Sequence, residues 1–119
     1  METINIHGKQ YETVASRIVR FRESYPDFSI ITDLLSADAD CVVMKASILN
    51  AVGMCISTGH AEEYRTASKI NKTSALENCE TSAVGRALAF FEYAGSGIAS
   101  ADEVTNAIKA QDALEELGI

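Results

Sequence analysis

Cys41-Val42-Val43-Met44-Lys45-Ala46-Ser47-Ile48-Leu49 alternates with the period of an extended chain. Val42, Met44, Ala46 and Ile48 point one way and Val43, Lys45 and Ser47 the other, because successive strand residues face opposite sides. Asn50-Ala51-Val52-Gly53 follows as a turn, and Met54 to Glu62 reads as the return strand. A loop of two or four residues sets even positions of the first strand against odd positions of the second; a three-residue loop reverses the pairing. On the former register one face joins Val42, Met44, Ala46 and Ile48 to Cys55, Ser57, Gly59 and Ala61. Those last four are small, which leaves room for a helix to approach. The other face gathers Lys45, Ser47, Thr58, His60 and Glu62.

The elements on either side complete a layered fold. Phe28 to Leu35, rich in Ile and Leu, supplies a third strand candidate before the hairpin. Earlier still, Val14, Ile18, Phe21 and Tyr25 fall at helical spacing within Thr13 to Tyr25, and Pro26 stops that helix. Ile4-Asn5-Ile6-His7-Gly8-Lys9 is a short strand or arm turning at Gly8. Tyr64 to Thr73 is polar and basic, without a usable period, and reads as an exposed loop. Ser74-Ala75-Leu76-Glu77 is a capping-box pattern that opens a long helix. Its apolar stripe runs through Leu76, Cys79, Ala83, Val84, Ala87, Phe90 and Phe91. Gly95-Ser96-Gly97 ends it, and Ser100-Ala101-Asp102-Glu103 caps a final helix to about Leu117. The expected fold is α+β: a three-stranded antiparallel β-meander packed on one face by a long helix, with an N-terminal helix and a short C-terminal helix. It forms a single domain over 1–119, with an arm at 1–9, a core at 10–94 and an acidic helix at 95–119.

Composition narrows the function classes. At 119 residues, with 47% apolar and 23% charged residues and a single Pro, the chain reads as one globule and not as a disordered or repetitive segment. No apolar run reaches the ~20 residues of a membrane helix, and the N-terminus lacks a signal-peptide pattern. Cys41, Cys55 and Cys79 are odd in number and widely spaced, so a disulfide framework or zinc knuckle is not expected. A cytosolic setting fits. The net charge of −7 opposes phosphate binding, yet it is uneven. From Glu92 onward six acids face only Lys109, so residues 1–91 carry a net of just −2.

Candidate chemistry is sparse. His60-Ala61-Glu62 matches the start of a zinc-deaminase signature, but no Pro-Cys-x-x-Cys completes the cage. No nucleophile elbow is present, and only His7 and His60 could serve as a histidine base. Gly95-Ser96-Gly97 lacks the Lys-Ser/Thr of a phosphate loop. The basic stretch Arg65, Lys69 and Lys72 leads into a helix start, where backbone N–H groups favour anions, and Tyr64 offers a stacking surface. Lys45 on the sheet, Arg86 on the long helix, and Arg17, Arg20 and Arg22 on the first helix are further candidates. As a bland alternative, the basic stretch is a solvated loop and the three arginines are a wet helix face. Glu80 lies about 40° from Leu76 on the helical wheel, inside the apolar stripe, and is expected to be buried with a hydrogen-bond partner.

The run Ser57-Thr58-Gly59-His60-Ala61-Glu62, then Lys69 to Ala89, and Ile98 to Val104 resembles a group of small phage and prophage proteins. Through Gly85-Arg86-Ala87-Leu88 and the strand–strand–strand–helix order, it is similar to the single-strand annealing superfamily, which includes the essential-recombination-function proteins. That resemblance implies a non-catalytic single-stranded DNA-binding or annealing protein of recombination or replication, without metal or cofactor. It places Arg86 in the DNA groove, although Gly85 and Ala89 stand where relatives carry further bases. It also implies a homo-oligomer in a bacterial host cytoplasm, with host or phage recombination or replication proteins as further partners. The rival reading is an acidic phage protein that binds a host protein and never touches DNA.

Overall fold

The computed structural model describes residues 2–91, 101–105 and 107–108. In chain order the elements are β1 (Thr3–Ile6), β2 (Lys9–Glu12), α1 (Val14–Ser24), β3 (Ser29–Ala37), β4 (Cys41–Leu49), β5 (Cys55–Tyr64) and α2 (Lys69–Phe91). Strands β3, β4 and β5 form one antiparallel sheet in that order, and β1 and β2 form a separate hairpin. Residues 101–105 are helical. The expected α+β meander with its long covering helix, its N-terminal helix and a short helix after it is therefore present. Residues 107 and 108 are helical as well; positions 106 and 109–117 of the expected C-terminal helix, and the Gly95-Ser96-Gly97 stop, lie outside the described residues.

The hairpin register depends on a compensation. Asn50 Oδ1 accepts from Val52 N and Met54 N, which holds a loop one residue longer than the sequence suggests and pairs Leu49 with Cys55. That alone would invert the faces. A bulge at Ile56 restores them, pairing Ile48 with Ser57, Ala46 with Gly59 and Met44 with Ala61. The expected helix-facing column thus holds for Ser57, Gly59 and Ala61. Cys55 departs from it and is exposed, because it sits on the loop side of the bulge.

The core lies between the sheet and α2. Val42, Met44, Ala46 and Ile48 are buried against Ala75, Cys79, Ala83, Ala87 and Leu88. Helix α1 closes the end with Val14 and Phe21, where Phe21, Tyr25, Phe28 and Phe91 pack ring to ring. Leu76 and Phe90, expected in the stripe, are exposed instead, and Ser82 and Gly85 are buried. The apolar face of α2 is rotated because the helix is covered on two sides, by the sheet and by α1.

The ends of elements differ in how far they follow the sequence. The N-terminal segment is the short strand turning at Gly8 that the sequence suggests, and it pairs with β2 and not with the main sheet: Ile4 lies opposite Tyr11 and Ile6 opposite Lys9 across a turn in which His7 and Gly8 both have positive φ. Part of the expected basic loop is helical. Ser68 Oγ accepts from Asn71 N and starts α2 at Lys69, while Ser74 (φ −131°, ψ 23°) marks a kink inside it.

Candidate nucleic-acid interface

The basic residues separate into distinct environments. Arg17 is fully buried, and its Nη1 donates to the Gly85 carbonyl at 3.1 Å. Burial pushes its guanidinium below the ordinary arginine value, and the charges of Glu12, Glu103 and Asp102 oppose that shift. It is a structural tie between α1 and α2, not part of a wet face. Arg20 is held by Glu12 through two hydrogen bonds, from Nε to Oε2 and from Nη2 to Oε1. Glu12 is itself buried, and bonds from Arg20 and Ser16 outweigh its desolvation and keep its carboxyl below the usual range. Arg22 is exposed in the last turn of α1.

Arg65 braces the turn between β3 and β4, donating from Nε to the Asp38 carbonyl at 2.8 Å. Asp38, which accepts from the backbone of Asp40 and Cys41, makes that turn acidic. Tyr64 is exposed at the end of β5, and its hydroxyl is engaged by Glu62, which pushes its pKa up. Lys45 lies on the open face of the sheet, flanked in register by Asp33 and His60. Lys69 and Lys72 are both exposed, three residues apart at the start of α2 and so on one face of it.

A buried network fixes that start. Asn71 Nδ2 donates to Glu63 Oε2 at 2.9 Å and to the Tyr64 carbonyl at 3.0 Å. Asn78 Nδ2 donates in turn to Asn71 Oδ1 at 2.8 Å. The two lysines therefore project from a turn bolted to the end of β5. Asn71 carries no charge, yet it precedes Ala75 and Cys79 by four and eight positions, so the stripe of α2 extended backward would have found it.

Arg86 lies where α2 passes the outer strand β5. Its guanidinium stacks over Phe90 at 5.6 Å from the ring centroid, and its Nη1 is 3.6 Å from Glu103 Oε2. Glu80 has the expected strand partner, since Thr32 Oγ1 donates to its Oε2 at 2.9 Å, but it is exposed. It reaches the outer strand β3, beyond which no further strand covers it among the described residues.

The deaminase-like residues do not converge. His60 faces the open side of the sheet, whereas Cys79 is buried on the helix side and donates to the carbonyls of Val42 and Ala61. Burial raises the Cys79 thiol to about 11. Among the described residues no group of three His, Cys, Asp or Glu side chains is placed to hold a metal. No helix among them is long and apolar enough to cross a membrane.

The pattern of the Slr1353 N-terminal dsRNA-binding domain-like family matches residues 18–91, from within α1 to the end of α2. The chain belongs to that family. No curated protein matches the chain, and no solved structure does. Membership in the Slr1353 N-terminal family overturns the resemblance to phage single-strand annealing proteins. The link to annealing proteins rested on a strand–strand–strand–helix order and the four residues Gly85-Arg86-Ala87-Leu88, all of which lie within the matched residues. Phage origin, recombination and annealing have no support in the match.

Proposed function

We propose that this domain binds nucleic acid as an RNA duplex, with Lys69 and Lys72 contacting phosphates. The observation that carries the reading is the family match, which runs from within α1 through the three-stranded sheet and α2 and whose description is double-stranded-RNA-binding-like. Duplex RNA is read mainly by shape, through phosphate and 2′-hydroxyl contacts, so a rigid element presenting spaced cations suits it. Lys69 and Lys72 meet that need on a turn held by Asn71. Arg22 on α1 is a further exposed cation of the matched region. Arg17 and Arg20 support the scaffold that holds them. The acidic Asp38–Asp40 turn repels phosphate, so the duplex approaches from the α2 side.

Fluorescence anisotropy with a duplex RNA of about 20 base pairs, the matching DNA duplex and single-stranded DNA tests this at about 50 and about 200 mM salt. The expected result is saturable binding, tightest for the RNA duplex and weaker at high salt. Preference for single-stranded DNA would restore the single-strand reading. No binding to any nucleic acid at low salt would leave the acidic protein-binding module as the better account.

A further inference from the structure

Beyond the family-matched span, residues 101–105 return to the domain and dock on it with acids. Ala101 is fully buried. Asp102 Oδ1 accepts from Val14 N at 2.8 Å, so the carboxylate sits on the N-terminus of α1, where an anion is favoured. Glu103 lies beside Arg86, and its charge also acts on the buried Arg17. The segment walls a cleft of about 440 Å³ between α2 and the outer strand β5, lined by His60, Ser82, Arg86 and Glu103 among others. An adjoining cleft of about 490 Å³ continues along β5 past Arg86 to Phe90. Among the described residues the buried Ser82 Oγ has no hydrogen-bond partner.

We propose that residues 101–105 form an acidic strap in which Glu103 occupies the place of a phosphate beside Arg86, so that nucleic acid reaches Arg86 only when the strap is displaced. The proposal rests on the nucleic-acid-binding reading and adds a competing anion to it. The ion pair is loose at 3.6 Å, and Arg86 remains 37% exposed, so the contact is weak enough for a polyanion to replace. Arg86 is already oriented by Phe90, and exchanging one carboxylate for a phosphate needs no rearrangement of α2. The strap also gives Asp102 and Glu103 a role: they lower affinity for anions in general and reserve the Arg86 face for ligands that also engage Lys69 and Lys72.

The test compares duplex RNA binding by the full chain, Glu103→Gln, Asp102→Asn, Arg86→Gln and the Glu103→Gln/Arg86→Gln double variant. Glu103→Gln is expected to bind about threefold to fivefold tighter, with the salt dependence steeper by about one contact. In the Arg86→Gln background the same change should gain nothing. Asp102→Asn loosens the seat without touching the Glu103–Arg86 pair and should shift affinity the same way; because Asp102 and Glu103 both act on Arg17, thermal melts of each variant accompany the titrations to show that the fold is kept. Saturating RNA should also speed amide exchange at Val14, whose N–H loses its Asp102 partner. Tight binding by the native chain with no gain in Glu103→Gln and Asp102→Asn overturns the strap and leaves the proposed function standing. An equal gain with and without Arg86 reduces the effect to bulk charge and overturns it too. Absence of binding in every variant sinks the proposed function and the strap together.

Discussion

Gly59 on β5 touches the backbone of Ala87 on α2: a Cβ built on Gly59 would stand 2.4 Å from Ala87 N and 2.5 Å from Ala83 O. Neither atom can swing aside as a side chain would. The close approach lets Ser57 Oγ donate to the Ala87 carbonyl at 2.8 Å and Cys79 reach the Ala61 carbonyl. Gly59→Ala must therefore lift α2 from β5, and a loss of about 3 kcal/mol in urea unfolding is expected, at the upper end for overpacking. An unchanged midpoint would show that the helix lifts freely.

The parts of the fold legible in sequence are those set by local period. Strand β4 is readable because its two faces are packed differently along most of its length, Ser47 being the one open-face position that is buried. The small residues of β5 and the Ala83–Ala87 pair signal a closely packed helix through their side-chain size alone. The bulge at Ile56 is not legible, since it corrects a loop whose length depends on Asn50 hydrogen bonds. Arg17 escapes a sequence reading for a different reason. Its partners Gly85 and Asp102 lie far along the chain, and a helical wheel carries no information on which second element covers a face. Lys69 and Lys72 stand out as charges, while Glu103, which offsets Arg86, looks like an ordinary capping residue.

The Glu12 cluster makes stability depend on pH. Its carboxyl is depressed below the ordinary 4.5 by Arg20 and Ser16 despite burial, so folding gains from the ionised form. That gain is complete above about 4.5 and is lost as pH falls through the depressed folded value. Glu12→Gln should cost about 1–2 kcal/mol near neutrality, with Arg20 partly solvated. Thermal melts from pH 7 to pH 3 are expected to show the native and variant curves converging only on the acid side. A constant gap across that range would contradict the assignment.

Lys69 and Lys72 separate binding from folding. Both are exposed, so Lys69→Ala and Lys72→Ala should each leave stability within about 0.5 kcal/mol. Each should weaken duplex RNA binding and flatten its salt dependence by about one phosphate contact. Titrations of the double variant that retain the native salt slope would remove these lysines from the interface.

Asn71 should act on the same surface without carrying charge. Asn71→Ala removes the donor to Glu63 and to the Tyr64 carbonyl and the acceptor of the Asn78 amide, and is expected to cost about 2 kcal/mol. Amide exchange should quicken at residues 69–73, on the near side of the Ser74 kink, more than at residues 79–88. Uniform quickening along the whole helix would mean that Asn71 serves global packing and not the placement of the lysine turn.

Self-association follows from the sheet's outer strands. With the order β3-β4-β5 and the N-terminal hairpin paired on itself, β3 and β5 both present an edge among the described residues. An edge of that kind pairs with another chain unless charge, a bulge or a covering element prevents it. Strand β3 carries a bulge at Leu35 and one charge, Asp33, but Ile31, Leu34 and Leu35 are all about half exposed beside them. Apolar side chains along an open ladder favour pairing more than one bulge and one carboxylate oppose it. Light scattering at micromolar concentration is expected to give a mass above one subunit, and Leu34→Lys with Leu35→Lys should return it to one. Deleting Met1–His7 should leave the association intact, since that arm covers neither edge. A native chain that scatters as a single subunit would mean that the bulge and Asp33 suffice to protect β3.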